Sequence, residues 1–149
     1  MAELVLATTI PGVTGLLAQA PLFQGLGEED VAQLAAVSTV QDFPANAEII
    51  TEGDEGTTFY CIVSGAVKVI RAESGALLAA LGPGESFGEM ALLDGGLRSA
   101  SVVAVTEVRC LVLPQWEFTV ALKHTLELAL ALLRVLSRRL RASNQALSD

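Results

Sequence analysis

Apolar positions divide the chain into three zones of different period. Up to about residue 38 the spacing is helical. Val31, Leu34, Ala35 and Val37 recur as on one helix face, and Glu28, Glu29 and Asp30 stand just ahead, where negative charge suits a helix start. Before them, Pro21-Leu22-Phe23-Gln24-Gly25-Leu26 reads as a turn with apolar anchors. From about 39 to 114 the period is that of strands. Runs of β-branched and aromatic residues at 58–63, 66–70, 77–81, 101–105 and 108–113 are cut apart by glycine, nine of the 13 glycines lying between Gly53 and Gly96. Ser64-Gly65, between the first two runs, reads as a hairpin turn. Short strands with frequent turns predict an antiparallel roll, not a parallel sheet.

The third zone holds no Gly or Pro after residue 114 and is rich in Leu, Ala, Glu and Arg, which predicts one long helix over 115–147. Leu126, Ala129, Leu133, Leu136, Leu140, Ser143 and Leu147 keep the 3-4 spacing of a coiled-coil seam, while Leu128, Leu132 and Val135 form a second apolar face. One face suits the roll and the other a partner helix, so a parallel homodimer through 126–147 is expected. The expected fold class is α+β, mainly β: an antiparallel jelly-roll β-barrel flanked by N-terminal helices (1–38) and a long C-terminal dimerisation helix. The whole of 1–149 is expected to be a single domain with its own core.

Composition narrows the function. At 52% hydrophobic residues the chain is no disordered segment. No apolar run reaches the ~20 residues of a membrane span, and the start Met1-Ala2-Glu3-Leu4 lacks the basic region of a secretory signal. A cytoplasmic protein with no membrane partner is expected. Two cysteines make neither a disulfide framework nor a metal cluster, and Cys61, in the alternation Phe59-Cys61-Val63, reads as a small buried residue. The net charge of −8 opposes phosphodiester backbones, so no nucleic acid is expected to bind this chain alone. Positive charge is uneven: five of the nine Lys and Arg follow residue 120, which leaves Arg98 isolated in the acidic, glycine-rich middle. Lone His124, Trp116 and Phe118 are read as helix and packing residues.

The chemistry concentrates in Phe87-Gly88-Glu89-Met90-Ala91-Leu92-Leu93-Asp94-Gly95-Gly96-Leu97-Arg98-Ser99-Ala100-Ser101-Val102. This reads as a turn, a short helix, a glycine loop and a strand that opens on Arg-Ser. Gly88 permits close backbone approach. Unpaired amides of Glu89, Met90 and Ala91 at the helix start make an anion site, to which Arg98 adds full charge and Ser99 a hydroxyl. Donors converging from several directions suit a phosphate better than a carboxylate. Glu89 fits beside an anion only if it meets a neutral hydroxyl, such as a ribose 2′-OH. The alternative for Arg98 is a surface ion pair with Glu89 or Asp94, which contributes only ~0–1 kcal/mol.

This segment, 87–102, resembles the phosphate-binding cassette of the cyclic nucleotide-binding domain family. The resemblance runs from about residue 21 to 147. Pro44-Ala45-Asn46-Ala47-Glu48-Ile49-Ile50 with Glu52-Gly53-Asp54 is similar to the family's first roll strands, Tyr60 to Val69 to its central hairpin, and Gly82-Pro83-Gly84-Glu85-Ser86-Phe87 to the turn before the cassette. Asn46 stands where the family usually has glycine, and Asn is the next-best residue for a left-handed turn.

The resemblance implies that Arg98 and Ser99, helped by the amides of Met90 and Ala91, hold a cyclic phosphate. Glu89 would accept from the ribose hydroxyl, with Gly88 giving access. Val67, Val69, Leu78 and Leu81 would form an apolar wall around the sugar and base. Ser143 and Asn144 would read the adenine edge, one of them from the partner subunit, which favours cAMP over cGMP as ligand, with no metal. The implied function is a cyclic nucleotide sensor that reorients its C-terminal helix. It would act as the sensor part of a transcription regulator, whose bacterial examples continue into a helix-turn-helix, or as a stand-alone sensor. The alternative is a ligand-free dimerisation or protein-interaction module that kept the fold. No nucleophile–base pair or metal-ligand set argues for an enzyme, and the His or Cys sets of haem and iron–sulfur sensors are missing.

Overall fold

The structure, a computed structural model, describes residues 5–6, 12–88 and 96–148. A short strand β1 (Val5–Leu6) precedes helix α1 (Val13–Ala18), a 3-10 turn (Pro21–Phe23) and helix α2 (Glu28–Ala36). Eight strands follow: β2 (Thr39–Phe43), β3 (Glu48–Ile50), β4 (Thr58–Ser64), β5 (Val67–Ile70), β6 (Leu77–Leu81), β7 (Ser86–Phe87), β8 (Ser101–Ala104) and β9 (Val108–Pro114). Helices α3 (Gln115–His124) and α4 (Leu126–Ser148) close the chain.

The strands form two antiparallel sheets, one in the order β1-β2-β9-β4-β7 and the other β3-β8-β5-β6. The fold is the expected mainly-β α+β roll, with each sheet hydrogen-bonded separately and not joined into one closed barrel. Alternation along β4 and β9 explains why two cores arise. Phe59, Cys61, Leu111 and Leu113 face the helices, where Leu17, Leu22, Phe23, Leu34, Phe118, Leu128 and Leu132 cover them. Ile62, Val108, Cys110 and Val112 point the other way, onto Ile50, Val67, Phe87 and Val102 between the sheets. Both faces of these central strands are therefore dry.

Four local expectations change. The N-terminal zone is not wholly helical, since Val5 and Leu6 pair with Val40 and Thr39 of β2. Ser64-Gly65 is not a hairpin turn: β4 and β5 belong to different sheets, and the hairpin that forms is β5–β6, with Val67 opposite Leu81. Gly65, at φ +92, is the corner between sheets, where an added Cβ would lie 2.9 Å from the Val108 Cα, so only glycine lets the strands come this close. The helix expected over 115–147 breaks at Thr125, whose extended backbone (φ −138, ψ 95) accepts the first bond of α4 from the Ala129 amide. Threonine is a favoured residue at such a start, and the break lets the apolar stripes of both helices reach one core. Trp116 is 66% exposed while Phe118 is 1% exposed. Residues two apart on a helix point roughly 200° from one another, so only one reaches the core.

Candidate functional site

The turn at 82–85 is fastened to β4, because Gly84 donates to the Ile62 carbonyl at 2.8 Å and Ile62 donates to the Glu85 carbonyl at 2.9 Å. Strand β7 then pairs Phe87 with Tyr60, and the two rings stack at 5.0 Å. Gly88 follows with φ +79, a left-handed conformation that favours glycine. Glu89, Met90 and Ala91 lie outside the described residues.

Arg98 enters from the opposite side. Its amide donates to the Asp54 carbonyl at 2.7 Å, its carbonyl accepts from Gly53 at 2.9 Å, and Glu55 and Leu97 form a β-bridge. The side chain crosses to β4, where Nη2 donates to the Thr58 carbonyl at 2.7 Å. An added Cβ on Gly88 would lie 2.7 Å from Arg98 Nη1 and 2.9 Å from the same carbonyl. The guanidinium thus rests on bare backbone. Burial lowers the Arg98 pKa and Tyr60 nearby opposes that effect; a guanidinium remains protonated all the same. A cavity of about 160 Å³ borders Arg98, Thr58 and Tyr60 on the β3 side.

Other candidates are placed less closely together. Ser99 is exposed, and its carbonyl accepts from Arg71 Nη1 at 3.4 Å. Val67 is buried between the sheets, with Val69 on the same strand and Leu81 on β6 both half-buried. Leu78 is 50% exposed. It is the residue that the β5–β6 register skips, Val69 facing Ala79 and Ile70 facing Leu77, so strict alternation does not place it with Leu81. Ser143 and Asn144 are exposed on α4, beyond Val135, the last buried residue among those described. The buried stripe of α4 joins the cluster under the N-terminal helices and not the one that holds Val67.

Sequence reasoning missed Gly56, Thr58, Tyr60 and Arg71 around Arg98. The Tyr in an alternating strand signals only burial, and a backbone carbonyl leaves no residue-type signal. Among the described residues no group of three or more His, Cys, Asp or Glu could hold a metal, and no described helix is long and apolar enough to cross a membrane. Burial raises the Cys61 thiol to about 11 and the Cys110 thiol to about 12, as expected of structural cysteines.

The two-sheet roll thus presents a half-buried arginine beside a left-handed glycine. Comparison with known proteins gives the family. The model of the cyclic nucleotide-binding domain matches residues 40–125. A CRP-like cAMP-activated global transcriptional regulator of Mycobacterium tuberculosis is 37% identical over 137 residues, covering 90% of this chain and 61% of that protein. The Cyclic AMP receptor protein of Thermus thermophilus is 39% identical over 127 residues, or 83% of this chain and 59% of that protein. Among solved structures, the N-terminal domain of a transcriptional regulator from Streptomyces coelicolor A3(2) superposes with a TM-score of 0.81 at 36% identity, covering 89% of this chain and 94% of that one.

This chain belongs to the cyclic nucleotide-binding domain family, and it resembles the CRP-like cAMP-responsive regulators. It spans about three-fifths of the length of these curated relatives, 61% and 59%.

Proposed function

We propose that the chain is a cytoplasmic sensor of 3′,5′-cyclic nucleotide, cAMP before cGMP, that binds its ligand without chemical change and signals as a homodimer through α4. The observation that carries this reading is Arg98: a half-buried cation laid over Gly88 at the end of β7 and held on the Thr58 carbonyl. An anion that docks here meets a guanidinium whose burial has been offset in advance, and a charged partner repays that desolvation. The cAMP in the names of both curated relatives supports the choice of base, as do Ser143 and Asn144, which offer donors and acceptors to an adenine edge.

Dimerisation is supported by the second apolar stripe of α4. Leu126, Leu133 and Leu140 are 72%, 61% and 63% exposed, while Leu128, Leu132 and Val135 are buried. Ligand bound between the roll and this helix favours the arrangement it fits best, which is how binding becomes a signal. In a longer protein the helix would pass that arrangement to a DNA-binding domain; alone, it would pass it to a protein partner.

The test is a thermal-shift titration with cAMP and with cGMP, paired with calorimetry. A rise in melting temperature with saturable binding, stronger for cAMP, is expected. No rise with either nucleotide at millimolar concentration overturns the reading in favour of a ligand-free dimerisation module.

A further inference from the structure

Gly56 occupies a position where the backbone does not demand glycine. Gly53, Gly65, Gly84 and Gly88 all show a left-handed φ, and Gly56 does not. What distinguishes it is space. A Cβ added at Gly56 would lie 2.5 Å from Nε, 2.7 Å from Cζ and 2.8 Å from Cδ of Arg98. Ordinary carbon contacts are about 3.5–4.0 Å, so a methyl group and this arginine pose cannot coexist.

The Gly56 backbone is held in place, so relief must come from the arginine, which can shift only toward the cavity beside it. The Gly56 amide donates to the Gly96 carbonyl at 2.9 Å, next to the Glu55–Leu97 bridge and the Arg98–Asp54 bond, so loop 53–56 is zipped to loop 96–98. The guanidinium also meets the Thr58 carbonyl and lies close to the Gly88 backbone. The side chain is confined on three sides.

We infer that Gly56 is a positioning residue of the ligand site: its bare Cα is the floor across which Arg98 reaches Thr58, so the loop after β3 sets the guanidinium pose before any ligand arrives. The inference rests on the reading of Arg98 as the phosphate anchor. Gly56→Ala forces the arginine outward by about an ångström and breaks its bond to Thr58. The released side chain must then be ordered by the ligand, which weakens binding by roughly tenfold.

The experiment is a double-mutant cycle on the full chain, with wild type, Gly56→Ala, Arg98→Ala and the double variant. Apo melting temperature and cAMP affinity, the latter by competition with a fluorescent cyclic nucleotide, are both measured. Because Gly56 acts through Arg98, Gly56→Ala is expected to lower affinity and melting temperature in the Arg98 background and to do neither in the Arg98→Ala background. If Gly56→Ala alone does not fold, recovery of folding in the double variant supports the inference. Equal losses in both backgrounds, or a Gly56→Ala protein that binds like wild type, overturn it. A wild-type protein that binds no cyclic nucleotide instead sinks the ligand reading, and the apo melting cycle then still decides whether Gly56 acts on Arg98.

Discussion

Arg98 Nη2 donates to the Thr58 carbonyl at 2.7 Å, a bond that spans 40 residues of chain and joins the loop before β8 to the first residue of β4. A cation seated on a carbonyl has been partly desolvated without being neutralised. It keeps its charge available to an arriving anion and loses little side-chain freedom when that anion binds.

Arg98→Ala therefore removes both charge and positioning. Charge-assisted hydrogen bonds contribute ~1.5–3 kcal/mol each, so the loss in cAMP affinity is expected to be about tenfold or more. Isothermal titration of the variant checks this, and wild-type affinity in Arg98→Ala would remove the anchor from the site.

The two apolar stripes of α4 predict opposite phenotypes. Leu133→Glu alters an exposed position and should leave the monomer folded while shifting the protein from dimer to monomer in sedimentation equilibrium. Leu132→Ala empties a buried position in the core under the N-terminal helices. It should cost ~2–5 kcal/mol of stability, read by denaturant unfolding. A Leu133→Glu protein that stays dimeric would place the interface elsewhere.

Burial lifts the Cys61 and Cys110 thiols from 9.0 to about 11 and about 12. Above pH 9 the unfolded chain loses these protons while the folded chain retains them, so the unfolded state gains. Stability is fully present below about pH 9 and falls as pH climbs toward 11. Melting temperatures across this range should decline, and less steeply in a Cys61→Ala/Cys110→Ala variant. An Ellman titration near neutral pH should find no reactive thiol until denaturant is added.

Asn46 holds φ 71, the one positive φ on a non-glycine residue among those described. Its amide donates to the Ala104 carbonyl at 2.8 Å, which ties the turn before β3 to β8. Asn46→Ala should lower stability by about 1 kcal/mol and Asn46→Gly should not, because a Cβ without a polar side chain is least tolerated in the left-handed region. Equal melting temperatures for Asn46→Ala and wild type would show that the turn relaxes.

Much of the fold was legible along the chain. The strand at 77–81 and those at 58–63 and 108–113 stand within a residue or two of their predicted bounds, because alternation directly reports a strand with differing faces. The core-facing stripe of the C-terminal helix was legible from its helical period: Leu128, Leu132 and Val135 are buried, while Leu136, read as part of the other stripe, also packs against that core. Left-handed geometry at Asn46 followed from the resemblance, which puts it where the family usually has glycine. At the site, the isolation of Arg98 in a region poor in positive charge was enough to single it out.

Tertiary structure alone decided which partner each apolar face meets. Period tells that β4 and β5 are strands, but not that the chain changes sheets at Gly65, since pairing depends on hydrogen-bond partners distant in sequence. It could not tell which of Trp116 and Phe118 would be buried, nor that α3 and α4 would part at Thr125, because helix propensity is local and the shared core is not. The setting of Arg98 belongs to the same class. Thr58 contributes a carbonyl, which every residue has, and Gly56 contributes the absence of a side chain. Such features acquire meaning only when folding brings another segment against them.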